Sequence, residues 1–145
     1  MVDKIWNENN GINILINSAA LTKSGIDKGQ KDFYAKFEDT NQNLWEIGLN
    51  INLTATQLTC KILGTKMAKN GGGSIINIAS DVAVISPDHR IYKADEKFDY
   101  DGVEFNTPIG YSATKAGMLA MTRYLATYWA EDGIRVNSFS PAGVY

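Results

Sequence analysis

The sequence predicts an α/β fold with an open, doubly wound parallel sheet. Three short runs rich in β-branched residues, each bounded by glycine or other small residues, indicate strands that are buried on both faces. Two long segments between these runs carry apolar residues at helical spacing. Because strands and helices alternate, we expect parallel pairing through right-handed crossovers, with helices on both faces of the sheet.

The elements are predicted in this chain order: a strand over residues 11–20, a helix over 44–70, a strand over 71–80, a helix over 111–130 and a strand over 133–143. The glycine that begins the last run also ends the second helix, because glycine favours a helix C-terminus. With 145 residues, of which 44% are hydrophobic, the chain has the size and apolar content of one domain.

Small and polar residues follow each predicted strand. Ligands of open parallel sheets bind outside the carboxyl ends of the strands, so these residues are candidates for a binding site. They are Asn17, Ser18, Ala19 and Ala20 after the first strand, Ser80 and Asp81 after the second, and Pro141, Ala142 and Gly143 after the third.

The composition argues against several classes of protein. The net charge is −2 and the basic residues are scattered, so no nucleic-acid partner is expected. Cys60 is the single cysteine, which rules out an intrachain disulfide scaffold and favours a reducing cytoplasm. His89 is the single histidine, so a zinc site of Cys and His has too few ligands, and no metal is expected.

The N-terminal residues lack the apolar core of a signal peptide, and no apolar run is long enough to cross a membrane. We therefore expect a soluble, unexported protein with no membrane partner.

Residues 82–110 form a charged stretch with aromatic residues and little periodicity, between Ser80 and the second long helix. This stretch is long for a loop inside a compact domain. We interpret it as an insertion, either a lid over a functional site or a partly disordered segment.

Tyr111 and Lys115 are four residues apart at the start of the second long helix, so their side chains share one helix face. A nearby protonated lysine stabilises a phenolate and lowers the pKa of a tyrosine from its usual value of about 10. Such a phenol can protonate a carbonyl oxygen during reduction, or remove the proton of an alcohol in reverse. Ser80 at the neighbouring strand end can stabilise the charge on the same oxygen.

The motifs YSATK, INIAS and IRVNSFSPAG, taken together and in this order, resemble those of the classical short-chain dehydrogenase/reductase family. The resemblance implies a Rossmann-type, NAD(P)-binding domain over residues 1–145, with residues 82–110 as the lid. It also implies an enzyme that interconverts an alcohol and a carbonyl by hydride transfer, with NAD or NADP as the cofactor.

By the same resemblance, Tyr111 is the acid/base, Ser80 orients the substrate oxygen, and Lys115 tunes the tyrosine and holds the nicotinamide ribose. Asn52 takes the place of a helix asparagine that holds a water in the proton relay. The implied cofactor-binding set is Asn17, Ser18, Ala19, Ala20, Tyr111, Lys115, Pro141, Gly143 and Val144.

The chain departs from the family's pattern at both ends. It contains no glycine-rich turn between a strand and a helix that could receive the pyrophosphate, and it stops at Tyr145, before the family's substrate-binding helices. The chain therefore resembles the catalytic middle of a longer enzyme, and it lacks the family's acidic or basic residue that separates NAD from NADP. Because the first strand would lack its neighbour, we expect the isolated chain to be unstable or self-associating.

The gap between Ser80 and Tyr111, about thirty residues, is longer than in close classical members of the family. Its Asp, Arg, Tyr and Asn content suits a hydroxyl-rich ligand, so a sugar-type substrate is our expectation. The two long helices commonly form a dimer interface in this family, so a homo-oligomer, dimer or tetramer, is expected through them.

Two alternatives remain open. A nucleotide-sugar epimerase or dehydratase of the extended family also carries the Tyr-x-x-x-Lys pair and a longer gap ahead of the tyrosine. A truncated copy that serves as a non-catalytic interaction module would also retain these residues.

Overall fold

The computed structural model of the chain describes residues 2–21, 30–92, 99–100 and 103–142. In chain order its helices and strands are α1 (Val2–Glu8), β1 (Ile14–Asn17), α2 (Gln30–Phe33), α3 (Gln42–Leu49), α4 (Ala55–Thr59), α5 (Thr65–Ala68), β2 (Gly73–Ile78), β3 (Asp99–Tyr100), β4 (Val103–Glu104), α6 (Ile109–Tyr128) and β5 (Ile134–Phe139). The three predicted strands and two long helices are confirmed with shifted ends. The sequence patterns do not predict α1, α2 or the antiparallel pair of β3 and β4.

The strands β1, β2 and β5 form one parallel sheet in that order. Leu15 is paired with Ile75, and Ile75 with Val136, so these apolar side chains share one face of the sheet. Asn17 and Asn77 are paired two residues further along on the same face. The predicted α/β fold with parallel pairing is confirmed.

A continuous helical rod, residues 42–68, connects the region after β1 to β2. Asn41 caps its start, where the side-chain oxygen accepts from the backbone N–H groups of Asn43 (2.9 Å) and Leu44 (3.4 Å). Within the rod, α3, α4 and α5 are joined by two π-helical turns, Asn50–Thr54 and Cys60–Gly64. Such turns occur often at functional sites, and the first contains Asn52.

The core lies between the sheet and the two long helices, the rod and α6. Its buried side chains come from one face of the sheet, from the rod and from the end of α6: Ile75, Ile134, Val136, Cys60, Met67 and Trp129. Both long helices therefore lie on the same face of the sheet.

The sequence predicts helices on both faces of the sheet. Among the described residues, the two long helices lie on one face only. The strands follow one another across the sheet in their chain order, and each is joined to the next by a right-handed crossover. Such crossovers place all their helices on the same face, and a helix reaches the other face only where the strand order reverses. The opposite face exposes Ile14, Ile16 and Phe139, at 60%, 57% and 62%. The prediction that β1 and β5 are buried on both faces is therefore wrong, whereas β2 between them has no exposed residue.

Close packing between the rod and α6 depends on glycine. A Cβ added at Gly64 would overlap the indole of Trp129, which is buried at the end of α6. A Cβ added at Gly117 would lie 3.1 Å from the side chain of Leu53. The two helices can approach at these points because neither glycine carries a side chain.

The described part of the insertion, residues 82–92, 99–100 and 103–110, consists of short turns, the β3–β4 pair and the start of α6. The ring of Phe105 lies 4.7 Å from that of Tyr34 and 4.5 Å from that of Tyr92, centroid to centroid. Asn106 Nδ2 donates to the Tyr34 carbonyl at 3.3 Å. The insertion is therefore packed against the segment that precedes the rod.

Candidate active site

The carboxyl ends of β2 and β5 meet at one edge of the sheet. The backbone N–H of Ala79 donates to the Phe139 carbonyl (2.8 Å), and that of Asp81 donates to the Pro141 carbonyl (3.2 Å). Ser80, between these two contacts, is 6% exposed. The fold thus brings together Ser80 and Pro141, which follow different strands in the sequence.

Tyr111 and Lys115 share one face of α6, as predicted. The backbone N–H of Tyr111 donates to the Pro108 carbonyl (3.0 Å) in the first turn of the helix. Lys115 Nζ lies 5.5 Å from the centroid of the Tyr111 ring. The same Nζ donates to the Ile78 carbonyl at 2.5 Å, so this helix face is directed at the end of β2.

The Lys115 ammonium is buried, with 2% of the residue exposed. Burial lowers the pKa of Lys115 from its ordinary value, because the charged form loses its hydration. Among the described residues, the Ile78 carbonyl is the one acceptor that the ammonium contacts by a hydrogen bond. Since an ammonium has three donors, two are available to a ligand.

Ser80 forms a hydrogen bond with its neighbour in the chain. Its Oγ donates to Asp81 Oδ1 (2.9 Å), which also accepts from the backbone N–H of Val82 (2.8 Å). An ionised carboxylate only accepts, so the hydroxyl proton of Ser80 points to Asp81. The hydroxyl must rotate before Ser80 can donate to a substrate oxygen.

Asn52 links three segments through its buried side chain. Its Oδ1 accepts from the backbone N–H of Leu21 (2.7 Å), and its Nδ2 donates to Thr114 Oγ1 (3.2 Å). Thr56 Oγ1 donates to the Asn52 carbonyl (3.1 Å). The side-chain amide is therefore engaged in holding α6 next to Lys115.

Asn17, at the end of β1, is engaged in the core. Its Nδ2 donates to Asn77 Oδ1 (2.8 Å), and its Oδ1 accepts from Thr59 Oγ1 (2.6 Å). Asn77 Nδ2 in turn donates to Thr122 Oγ1 on α6 (2.9 Å). This chain of hydrogen bonds joins both long helices to the sheet, so the Asn17 side chain stabilises the sheet.

Sequence reasoning missed Asn77, Thr114 and Thr122, which are all buried. The sequence contains one relevant signal, the amide of Asn77 in the middle of an apolar strand. A buried amide must find hydrogen-bond partners, so this position indicates a polar network. The partners lie on other elements, and their positions depend on the fold.

Cys60 lies beside the same network, where Asn17 Nδ2 donates to its Sγ at 3.3 Å. Burial raises the pKa of the Cys60 thiol, because the thiolate would lose its hydration. The thiol is therefore a packing group of low reactivity.

A cavity of about 780 Å³ opens beside the start of α6. Tyr111 and Asn52 belong to its wall, whereas Ser80 and Lys115 do not. The rod and the insertion supply apolar groups such as Trp45 and polar groups such as His89. This volume is typical of a site for a small molecule or part of a cofactor.

The remaining predicted cofactor residues are at strand ends. Ser18 and Ala19 are exposed after β1, and Ala20 is half-buried. Pro141 is half-buried after β5. Gly143 and Val144 lie outside the described residues.

Within the part of the chain that the structure describes, no helix is both long and apolar enough to cross a membrane. No group of three or more His, Cys, Asp or Glu side chains among the same residues could hold a metal ion.

Two family models match the chain. Residues 1–94 match the model described as short chain dehydrogenase, and residues 100–145 match the model described as Enoyl-(Acyl carrier protein) reductase.

The proteins similar to this chain include a D-threitol dehydrogenase and a glycerol dehydrogenase. D-threitol dehydrogenase of Mycolicibacterium smegmatis is 30% identical over 142 residues, which are 98% of this chain and 44% of that protein. NAD-dependent glycerol dehydrogenase of Listeria innocua is 32% identical over 130 residues, 90% of this chain and 40% of that protein. The chain thus spans less than half the length of these two relatives.

A similar solved structure is the short chain dehydrogenase of Leptospira borgpetersenii serovar Hardjo-bovis with bound NAD+. It superposes with a TM-score of 0.77 at 31% identity, and the match covers 99% of this chain and 50% of that one.

Proposed function

The chain belongs to the short-chain dehydrogenase family, and from that premise we propose that it carries the catalytic centre of an NAD(P)-dependent oxidoreductase. The reaction is the interconversion of an alcohol and a carbonyl. In this proposal residues 1–145 are part of the cofactor-binding domain, and residues 82–110 are a lid over its substrate site.

The observation that carries the proposal is the position of Lys115. Its ammonium lies 5.5 Å from the Tyr111 ring centroid and is anchored to the Ile78 carbonyl at the end of β2. The proposal combines this cation and phenol with Ser80, which follows β2 at the edge where parallel sheets bind ligands.

The residues present fit a nicotinamide cofactor. The ammonium of Lys115 has two donors left after its bond to Ile78, which suit the hydroxyls of a ribose. The exposed small residues Ser18 and Ala19 leave room beside the end of β1. When bound, the cofactor supplies or takes up the hydride.

In the reduction, Tyr111 donates its phenolic proton to the substrate oxygen, and in the oxidation it takes up the alcohol proton. The positive charge of Lys115 stabilises the phenolate. Ser80, once rotated away from Asp81, donates to the same substrate oxygen and orients it. Asn52 holds α6 through Thr114, and its proposed role is to hold a water in the proton relay.

A sugar or polyol is the proposed substrate class. Two of the relatives are named for D-threitol and glycerol. The cavity wall combines Trp45, Asn106 and Thr107, and such a mixture of aromatic and hydrogen-bonding groups suits a ligand with many hydroxyls.

We also infer that the protein forms a homo-oligomer through the rod and α6. Ile47, Leu58 and Ile62 on the rod and Tyr124 on α6 are exposed apolar side chains. Exposed apolar side chains on two neighbouring helices are typical of an interface. Leu58→Asp should therefore shift sedimentation toward the monomer.

The proposed compartment is the cytoplasm. Cys60 is buried and its thiol pKa is raised, so the chain neither needs nor readily forms a disulfide.

Tyr111→Phe tests the proposed chemistry. We expect turnover of D-threitol and glycerol, followed by the absorbance of reduced nicotinamide with NAD+ or NADP+, to fall by roughly 10²- to 10⁴-fold. Cofactor binding, measured by fluorescence titration, should persist. Tyr128→Phe, which removes an exposed phenol from the same helix, is the matched control.

Retained turnover in Tyr111→Phe would contradict the role of this residue. Incubation with candidate nucleotide sugars tests the epimerase alternative, because isomerised product without net absorbance change would favour an epimerase.

A further inference from the structure

His89 is the only histidine of the sequence, and it lies in the wall of the cavity that also contains Tyr111. The backbone N–H of Thr107 donates to His89 Nε2 at 3.2 Å. A backbone N–H can only donate, so Nε2 carries no proton. In the neutral imidazole the proton is therefore on Nδ1, and Thr107 fixes this tautomer.

The neighbouring charged groups bind each other and leave Nδ1 available. Asp88 Oδ1 accepts from the backbone N–H (3.1 Å) and Nε (2.8 Å) of Arg90, and Asp88 Oδ2 accepts from Arg90 Nη2 (2.7 Å). Within the described part of the chain, no acceptor is bonded to His89 Nδ1. The imidazole therefore combines one fixed nitrogen with one free donor.

We propose that His89 Nδ1 donates a hydrogen bond to a substrate hydroxyl oxygen away from the reacting carbon, and so selects hydroxyl-rich substrates. This inference rests on the proposed function of the same cavity. A donor held in one tautomer rejects an analogue that lacks the hydroxyl, because the bound analogue displaces water from the half-buried His89 and leaves its N–H without a partner.

The tautomer is measurable in the full chain without turnover. Because the sequence has one histidine, ¹⁵N labelling gives a single pair of imidazole nitrogen signals. We expect Nδ1 to be the protonated nitrogen of the neutral imidazole, and addition of D-threitol to shift its signal. A proton on Nε2, or an Nδ1 signal that no tested polyol shifts, overturns the proposal.

Two substitutions separate the two nitrogens. Glutamine can place an acceptor where Nε2 lies, so His89→Gln keeps the contact with Thr107 and loses the Nδ1 donor. Asparagine can place an N–H donor where Nδ1 lies, so His89→Asn keeps the donor and loses that contact.

The readout is the KM for glycerol relative to propane-1,2-diol, which lacks one terminal hydroxyl. We expect His89→Gln to reduce the preference for glycerol about fivefold with kcat unchanged, and His89→Asn to retain it. A merely structural role predicts the reverse, with loss in His89→Asn and retention in His89→Gln, and that result overturns the proposal.

Failure of the proposed function has a different signature, namely turnover that survives Tyr111→Phe. His89 substitutions do not affect that result.

Discussion

Lys115 donates a hydrogen bond of 2.5 Å to the backbone carbonyl of Ile78, so a neutral dipole at the end of β2 holds a buried cation. A carbonyl compensates less of the lost hydration than a carboxylate would, which agrees with the lowered pKa of Lys115. The site therefore contains a positive charge that still requires acceptors.

The first prediction concerns how stability depends on pH. The folded chain releases the Lys115 proton at a lower pH than the unfolded chain, in which the pKa is about 10.4. Between these two pH values the unfolded state binds more protons, so the contribution of Lys115 to stability rises with pH. The free energy of unfolding of the parent relative to Lys115→Met should therefore increase from neutral to alkaline pH in urea titrations.

Cys60 requires a control, because a raised pKa in the folded state makes its contribution fall with increasing pH. Both chains should therefore carry Cys60→Ala. A difference in unfolding free energy that stays constant with pH would contradict the prediction.

The second prediction concerns the buried amide network. Asn77→Ala removes the partners of Asn17 and Thr122 and leaves buried polar groups unsatisfied, so we expect a loss of about 3 kcal/mol in unfolding free energy. Asn70→Ala removes an exposed amide that donates to the Lys66 carbonyl, and it should cost less than about 1 kcal/mol. Equal losses in urea denaturation would indicate that the network contributes little.

The third prediction concerns the contact between the rod and α6. Gly64→Ala introduces a methyl group that overlaps the Trp129 indole, so unfolding free energy should fall by about 2 kcal/mol, as in overpacked cores. Gly48→Ala in α3 meets no atom within 4 Å and should raise stability by up to about 1 kcal/mol through helix propensity. Thermal melting of both variants distinguishes a packing effect from a general effect of alanine.

A second-site test follows from the same contact. Trp129→Leu should partly restore stability to Gly64→Ala, because the smaller side chain leaves room for the new methyl group. Additive losses in the double variant would show that the two positions are independent.

The fourth prediction concerns the open face of the sheet. Ile14, Ile16 and Phe139 expose an apolar surface, so the chain should bind a hydrophobic dye and elute larger than a monomer. Ile16→Thr keeps a β-branched side chain and should reduce both signals. Val84→Thr, an exposed position outside the sheet, serves as the control and should change neither.

The sequence predicts the strands, the two long helices and the Tyr111–Lys115 pair, because each depends on local periodicity or on a spacing of one helical turn. It does not predict that both helices lie on one face, since that depends on strand order. The partners of Asn52 and Asn77 and the contact between His89 and Thr107 join distant segments, so no local pattern contains them.

The Ser80–Asp81 contact is predictable from the sequence, because the two residues are adjacent. Its direction follows from chemistry alone, since only the hydroxyl has a proton to donate. The sequence motif predicts Ser80 as a donor to the substrate, whereas in the structure Asp81 competes for the same proton.

The order of β1, β2 and β5 in the sheet, identical to their order along the chain, has a consequence for protein synthesis. Here β2 pairs with β1, and β5 pairs with β2, so each pair consists of a strand and one synthesised before it. No later strand is inserted between two earlier ones. Pairing can therefore advance with translation, and β2 can join β1 while α6 is still being made on the ribosome.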